Sequence, residues 1–131
     1  MESKNTNEKE KYLAHISEDK KREQTVLEHN QGAALLAGEF ASKFGCREWG
    51  QAAGLCHDIG KYSQGFQKRL LGEGPPVDHS TAGGQELYAR GYLMVAYCVA
   101  GHHSGLQDGG SAAADESDAG TFLGRMKKQV E

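Results

Sequence analysis

Apolar residues recur every three or four positions along most of the chain, which is the spacing typical of α-helices. Thr25-Val26-Leu27-Glu28 has the form of a capping box, which marks the start of a helix. One face of that helix carries His29, Ala33, Leu36, Phe40 and Phe44, and Gly45 is a natural stop. We expect this face, with His29 on it, to point toward the protein interior.

The same spacing predicts five more helices, over residues 47–58, 63–71, 80–90, 92–102 and 121–130. The expected buried stripe of the first of these consists of Trp49, Ala52, Ala53 and Cys56. Two prolines and two glycines make Gly72–Val77 a loop. No run of alternating polar and apolar residues is long enough to build a sheet, so the predicted fold class is all-α.

Composition indicates a thin apolar core. Leu, Ile, Val and Phe together make up about 17% of the 131 residues, whereas in globular domains their share is usually above roughly 20%. In addition, 18 residues are glycine. Residues 1–11 and 107–120 contain none of the four and are predicted to be a flexible tail and a flexible loop. The folded domain is expected over 12–106, with a C-terminal helix within 121–131.

Charge and cysteine content narrow the function classes. The net charge of −3 gives no basic signature for nucleic acid, so any DNA contact needs a local site or a partner. The longest uncharged apolar stretch, Tyr92–Gly101, is too short to span a membrane, and the N-terminus does not resemble a secretory signal. We therefore expect a cytoplasmic protein without membrane association. Cys46, Cys56 and Cys98 are expected to be buried, reduced thiols.

The candidate chemistry lies in the order of the histidines along the chain. Five of them fall at the ends or inner faces of predicted helices, and an aspartate follows one of them: His29, His57-Asp58, His79 and His102-His103. Imidazole and carboxylate are common ligands of transition metals, and a carboxylate can bridge two ions. A single inward histidine is more often a core residue than a ligand. The ordered set is more specific, and it favours a dinuclear metal site.

These residues also carry a family resemblance. The segment Gly54-Leu-Cys-His-Asp-Ile-Gly-Lys61 resembles the signature of the HD superfamily of metal-dependent phosphohydrolases. A wider set resembles the HD nuclease domain of the helicase-nuclease of type I CRISPR systems, and it consists of Leu27-Glu-His29, the segment above, Phe66-Gln67, Asp78-His79-Ser80 and Gly101-His-His-Ser-Gly-Leu106. The resemblance covers roughly residues 12–106.

The resemblance implies an HD-like helical bundle around two divalent ions, which would be Fe, Mn, Co, Ni or Mg. It assigns His29, His57 and Asp58 to the first ion, and His79, His102 and His103 to the second, with Asp58 bridging both.

The resemblance also gives expectations for the neighbouring residues. Asp58 and Lys61 are the expected catalytic residues, since Lys61 matches a basic residue that could neutralise the scissile phosphate; a solvated lysine is the alternative. His15 is expected to support the fold, with support of a metal ligand as the alternative. Gln67 and Ser104 accompany the motifs without an assigned chemistry.

The sequence departs from the family pattern at its C-terminal end. The family's last metal-binding aspartate lies further downstream, and none of Asp108, Asp115 and Asp118 can be matched to it. We therefore expect the chain to be the front portion of a longer domain, with weaker metal binding at the first site. No G-x-x-x-x-G-K-[ST] motif is present, so a helicase motor would have to be a separate subunit.

Three functions remain open on the sequence. The first is a metal-dependent nuclease that cuts single-stranded DNA in type I CRISPR interference, together with the surveillance complex. The second is an HD phosphohydrolase that acts on nucleotides. The third is a catalytically crippled binding protein that docks on the surveillance complex as a regulator or an anti-CRISPR decoy.

Overall fold

A computed structural model describes residues 11–130, so nearly all of the predicted tail over 1–11 lies outside the described residues. The described chain is mostly helical, which confirms the predicted fold class. Its six α-helices are α1 (Val26–Ser42), α2 (Arg47–Cys56), α3 (Gln64–Leu70), α4 (Thr81–Ala89), α5 (Leu93–Ala100) and α6 (Phe122–Arg125). A short 3-10 helix, Ile59–Tyr62, follows α2, and residues 72–77 form the predicted loop.

A small antiparallel hairpin precedes the helices and was not predicted. Its strands are β1 (Leu13–Ile16) and β2 (Glu23–Thr25), and Leu13 pairs with Thr25 while Ile16 pairs with Glu23. Strands of four and three residues are too short to show an alternating pattern. The hairpin therefore has no hydrophobic signature in the sequence, although it lies directly before α1.

Helix α1 begins where the capping box predicts. The Thr25 hydroxyl accepts a hydrogen bond from the backbone N–H of Glu28 at 3.1 Å, which satisfies one of the free N–H groups of the first turn. The predicted buried face, however, is wrong, because Phe40 and Phe44 are 62% and 71% exposed and Leu36 is also exposed. The side of α1 that is buried carries Val26, Asn30, Ala34, Gly38 and Ala41.

Close packing of α2 on α1 explains the error. A Cβ atom on Gly54 would lie 2.4 Å from the backbone N of Ala34, and one on Gly50 would lie 2.2 Å from the carbonyl oxygen of Ala37. The two backbones touch at these points, so the seam accepts small residues only. For the same reason Trp49, which was expected on the buried stripe of α2, lies at the surface and is 49% exposed.

Replacing Gly54 with Ala should destabilise the protein, because the added methyl group overlaps the backbone of α1. We expect a loss of about 1–3 kcal/mol in the free energy of unfolding, as is usual for overpacked sites. Urea denaturation measures it. Gly32→Ala is the matched control, since nothing lies within 4 Å of that position on α1, and alanine should there raise stability by up to about 1 kcal/mol. Equal effects of the two substitutions would contradict the proposed seam.

The apolar core lies between α4, α5 and α6. It consists of Leu87, Val95, Ala96, Val99, Ala100 and Phe122, with Ala52, Ala53 and Cys56 of α2 packed against it. Small residues again set the distance between helices, since a Cβ on Gly83 would lie 1.9 Å from the carbonyl oxygen of Cys56. The core is therefore as small as the composition predicts, and α2 joins it to α1.

The last helix is much shorter than predicted. Only Phe122–Arg125 is α-helical, whereas the spacing of apolar residues predicts a helix over 121–130. The side-chain amide of Gln85 in α4 donates hydrogen bonds to the carbonyl oxygens of Arg125 and Met126 at 3.3 Å and of Lys128 at 2.6 Å. The Gln85 side chain thus satisfies carbonyl groups that would otherwise need the N–H groups of a continued helix, so the helix can end early.

Three further expectations concern membrane association, the cysteines and the loop over residues 107–120. Within residues 11–130, no helix combines the length and the apolar character that crossing a membrane requires. Cys46, Cys56 and Cys98 are all free thiols, but the expectation that they are buried is wrong, because Cys46 and Cys56 are partly exposed and Cys98 is exposed. Residues 107–120 form an irregular loop, in which the Asp115 carboxylate accepts hydrogen bonds from the Ser111 N–H at 2.9 Å and the Thr121 hydroxyl at 2.8 Å.

Candidate metal centre

Asp58 occupies the break between α2 and the 3-10 helix. Its backbone (φ −119°, ψ 24°) leaves the helical path that ends at His57, so its side chain turns into the molecule. Asp58 is only 3% exposed. Its carboxylate lies at the point where α1, α2 and the segments before α4 and after α5 meet, and the predicted ligands come from these four places.

One carboxylate oxygen of Asp58 faces a first group of ligands. Its Oδ2 atom lies 2.8 Å from Nε2 of His29 in α1 and 3.2 Å from Nε2 of His57 at the end of α2. The two imidazole nitrogens are 3.0 Å apart. We call these two histidines together with Oδ2 of Asp58 the first half-site.

The other oxygen of Asp58 faces a second group. Its Oδ1 atom lies 3.2 Å from Nε2 of His102 and 3.6 Å from Nε2 of His79. His103 completes the group, because its Nε2 atom lies 2.7 Å from Nε2 of His79. These three histidines and Oδ1 of Asp58 are the second half-site, so all six predicted metal ligands come together around one carboxylate.

Backbone carbonyl groups orient three of the imidazole rings. The Nδ1–H group of His57 donates to the Gly54 carbonyl oxygen, and that of His102 donates to the Val99 carbonyl oxygen, both at 2.6 Å. His79 makes the same kind of bond to Val77 at 3.3 Å. With the proton on Nδ1, the lone pair of Nε2 points into the centre, which is the arrangement of histidines that bind metals.

The donor atoms fit a pair of transition-metal ions. Within each half-site the potential ligand atoms lie within 4.8 Å of one another. Nε2 atoms that carry lone pairs repel one another and the carboxylate at distances of 2.7–3.2 Å unless a proton or a cation lies between them. Imidazole nitrogens together with one oxygen of a shared carboxylate are a ligand set that Fe, Mn, Co, Ni and Zn accept.

Lys61 places a buried positive charge beside the bridging carboxylate. Its Nζ atom lies 3.1 Å from Oδ2 of Asp58 and 5.3 Å from the centre of the Phe66 ring. The alternative of a solvated lysine is wrong, because Lys61 is only 5% exposed. Lys61 is buried because the 3-10 helix turns its side chain inward, one turn after Asp58.

Burial and charge keep most ligand histidines neutral. Burial is the main cause that lowers the pKa of His29, His79 and His103, and the charge of Lys61 acts in the same direction on all three. A metal ion binds the neutral form of imidazole. Lys61 therefore favours the protonation state that metal binding needs.

Asp58 itself stays ionised. Burial opposes its charge. Without a metal ion, however, His102 and His57 can also carry a proton on Nε2 and donate hydrogen bonds to Asp58, and these bonds and the charge of Lys61 outweigh burial and hold the pKa of Asp58 well below its usual range. The hydrogen bond with Asp58 is in turn the main cause that raises the pKa of His57. A permanently charged carboxylate at the middle of the cluster attracts cations to it.

The hairpin supports the first half-site through Gln67. The Gln67 side chain accepts a hydrogen bond from the Leu13 N–H at 3.0 Å and donates to the carbonyl oxygens of Leu13 at 2.9 Å and Lys61 at 2.7 Å. Gln67 thus joins β1 to the 3-10 helix. His15 of β1 then lies edge-on against the His29 ring, with ring centres 4.9 Å apart. Both residues stand out in the sequence, but the sequence indicates no role for Gln67.

Among residues 11–130, no carboxylate other than Asp58 belongs to either half-site. Asp115 is occupied within its own loop, as described above. Asp78, next to His79, accepts hydrogen bonds from the Thr81 N–H at 3.2 Å and the Thr81 hydroxyl at 2.5 Å. Arg125, whose contacts are given below, had no signal in the sequence, because it stands outside every motif.

Comparison with known protein families agrees with this geometry. The sequence profile of the HD domain family matches residues 26–125, which is most of the chain and includes both half-sites. The chain belongs to the HD domain family. No curated protein matches this HD domain significantly. The family and the His/Asp cluster support a metal-binding hydrolase of phosphate esters.

Proposed function

We propose that this HD domain is a nuclease that hydrolyses phosphodiester bonds of single-stranded DNA with the help of two divalent ions. The observation that carries the proposal is the placement of Asp58, whose two oxygens each face a separate group of histidines. A shared carboxylate of this kind holds two ions close together. Cleavage of a phosphodiester needs charge stabilisation at both the attacking and the leaving oxygen, and two ions suit that need.

When bound there, two divalent ions supply Lewis acidity to the phosphoryl oxygens and lower the pKa of a coordinated water toward neutrality. The residues of the chain hold and orient the centre. Asp58 joins the half-sites, and the carbonyl groups of Gly54 and Val99 fix the rings of His57 and His102. Lys61 stabilises negative charge next to Oδ2 of Asp58, on the side of the first half-site.

The accessibility of the second half-site suits a polymeric substrate. His102 and His103 are both exposed, whereas Asp58 beneath them is buried. An extended strand can therefore approach the centre from outside without passing through a closed cavity. The resemblance of Gly101–Leu106 to the type I CRISPR nuclease favours single-stranded DNA as the substrate. In this proposal the surveillance complex exposes the strand, and a separate helicase subunit moves it.

The nuclease proposal is tested with purified protein, Mn²⁺, and a labelled circular single-stranded DNA. We expect cleavage that needs the metal, with less cleavage of the same sequence as a duplex. Asp108→Asn is the matched control, because Asp108 is an exposed aspartate outside both half-sites, and it should cut as the wild type does. Turnover of free deoxynucleotides with intact DNA would replace the proposal with a nucleotide phosphohydrolase. Binding to the surveillance complex without any hydrolysis would instead support a decoy.

A further inference from the structure

Arg125 in the single turn of α6 is the most extensively hydrogen-bonded side chain near the centre. Its side chain is only 11% exposed. All three of its nitrogen atoms donate to protein acceptors. Nε donates to the Thr81 hydroxyl at 2.7 Å, and Nη2 donates to the Ser80 hydroxyl at 2.6 Å and to Asp78 at 3.5 Å.

The remaining nitrogen reaches the opposite side. Nη1 of Arg125 donates to the carbonyl oxygen of Ala100, and also to the Ser104 hydroxyl and the Gln107 side-chain oxygen, each at 3.4 Å. One guanidinium group therefore connects the start of α4 with the end of α5.

These two segments carry the ligands of the second half-site. His79 stands between Asp78 and Ser80, both of which accept hydrogen bonds from Arg125. His102 and His103 stand between Ala100 and Ser104, which also accept from Arg125. The acceptors thus flank the ligand histidines in the sequence on both sides. By contrast, the first half-site draws its ligands from α1 and α2, which pack directly on each other.

We propose that Arg125 is a positioning residue that assembles the second half-site by holding the segment of His79 against the segment of His102 and His103. The proposal rests on the metal centre of the proposed function, but it does not depend on which phosphodiester is cleaved. The planar guanidinium suits this task, because its donors are fixed in several directions at once. The C-terminal segment thereby becomes part of the metal centre without supplying a ligand.

Direct binding of a substrate phosphate by Arg125 fits the geometry less well. Every guanidinium nitrogen already has a protein acceptor, and one of the acceptors is the Asp78 carboxylate. Asp78 also binds the Lys128 ammonium at 2.6 Å. The arginine therefore faces a carboxylate that a second cationic side chain also contacts.

The test is the number and affinity of bound Mn²⁺ ions in wild type, Arg125→Ala and Arg125→Lys, measured by calorimetric titration of metal-free protein. We expect the second half-site of Arg125→Ala to bind about 10–100-fold more weakly, as is usual when a residue that orients ligands is lost, with the first half-site unchanged. Arg125→Lys should recover only part of the affinity, since one ammonium cannot reach both segments. Arg90→Ala is the matched control, because Arg90 is an exposed arginine paired with Glu86.

A purely structural role predicts something different. In that case Arg125→Ala would lower the melting temperature of the metal-free protein and weaken both half-sites equally, which would overturn the proposal. Two ions of wild-type affinity together with a raised KM would show that Arg125 contacts substrate instead. If Arg125→Ala does not fold, the Lys variant decides, and wild-type affinity at both half-sites would count against positioning. Failure of DNA cleavage in the wild type would affect only the proposed function.

Discussion

Replacement of Asp58 by Asn is expected to abolish binding of the two metal ions and to lower the rate of phosphodiester hydrolysis by about 1000-fold. The amide keeps the size of the side chain but loses the charge that both half-sites share. Metal ions contribute several kcal/mol to stabilisation of the transition state, and about 1.4 kcal/mol corresponds to a factor of ten in rate. Metal content by elemental analysis and the rate constant for cleavage of single-stranded DNA measure the two effects.

Asp108→Asn serves again as the matched control, because it removes one carboxylate of the same type outside the centre. It should retain both ions and the wild-type rate. The buried carboxylate also balances the charge of Lys61, so Asp58→Asn needs a check of folding by circular dichroism. A folded Asp58→Asn protein that still binds two ions would contradict the bridging role of Asp58.

Removal of both metal ions is expected to lower the melting temperature by about 20 °C. Each ion, at about 100 times its dissociation constant, stabilises the folded protein by about 2.7 kcal/mol. For a domain of this size each kcal/mol corresponds to roughly 4 °C. The effect is large here because the apolar core is small, and because imidazole nitrogens 2.7–3.0 Å apart need a cation or a proton between them. Thermal unfolding with Mn²⁺ and with excess chelator measures the difference.

The variant Asp58→Asn provides the control for this result. Its melting temperature should not respond to Mn²⁺, because the ions have lost their shared ligand. A wild-type protein that unfolds at the same temperature with chelator as with metal would show that the centre contributes nothing to stability.

The sequence predicts the candidate site better than it predicts the packing around it. His29, the His57-Asp58 pair, His79 and His102-His103 stand at helix ends or next to turns, and their order is specific even though each residue alone is not. Capping residues such as Thr25 predict where helices begin and end. Once the helices are placed, their ends converge on Asp58, and the structure brings the six residues together.

The buried faces of α1 and α2 could not be predicted in the same way. Hydrophobic spacing assumes that large apolar residues face the interior, but the seam between these helices selects small residues, because the backbones touch at Gly50 and Gly54. Phe40 and Trp49 are excluded from it by size. A count of glycine and alanine on each face, rather than of large apolar residues, is the signal that could have found the seam.

The residues that support the metal centre could not be predicted from the sequence for a different reason. Gln67 and Arg125 act through hydrogen bonds to segments distant in the chain, such as Leu13 and Ala100. Local periodicity contains no information about such partners. The short hairpin and the early end of α6 depend on the same kind of long-range bond, as the contacts of Gln85 illustrate.

The most direct measurement is the number of metal ions bound per chain in the wild type, His29→Ala and His102→Ala. Each protein is loaded with Mn²⁺, separated from unbound metal by gel filtration, and measured by elemental analysis. Two half-sites around Asp58 predict two ions in the wild type and one in each variant, since each substitution damages a different half-site. A wild-type protein without stoichiometric metal, or variants that both retain two ions, would contradict the dinuclear centre.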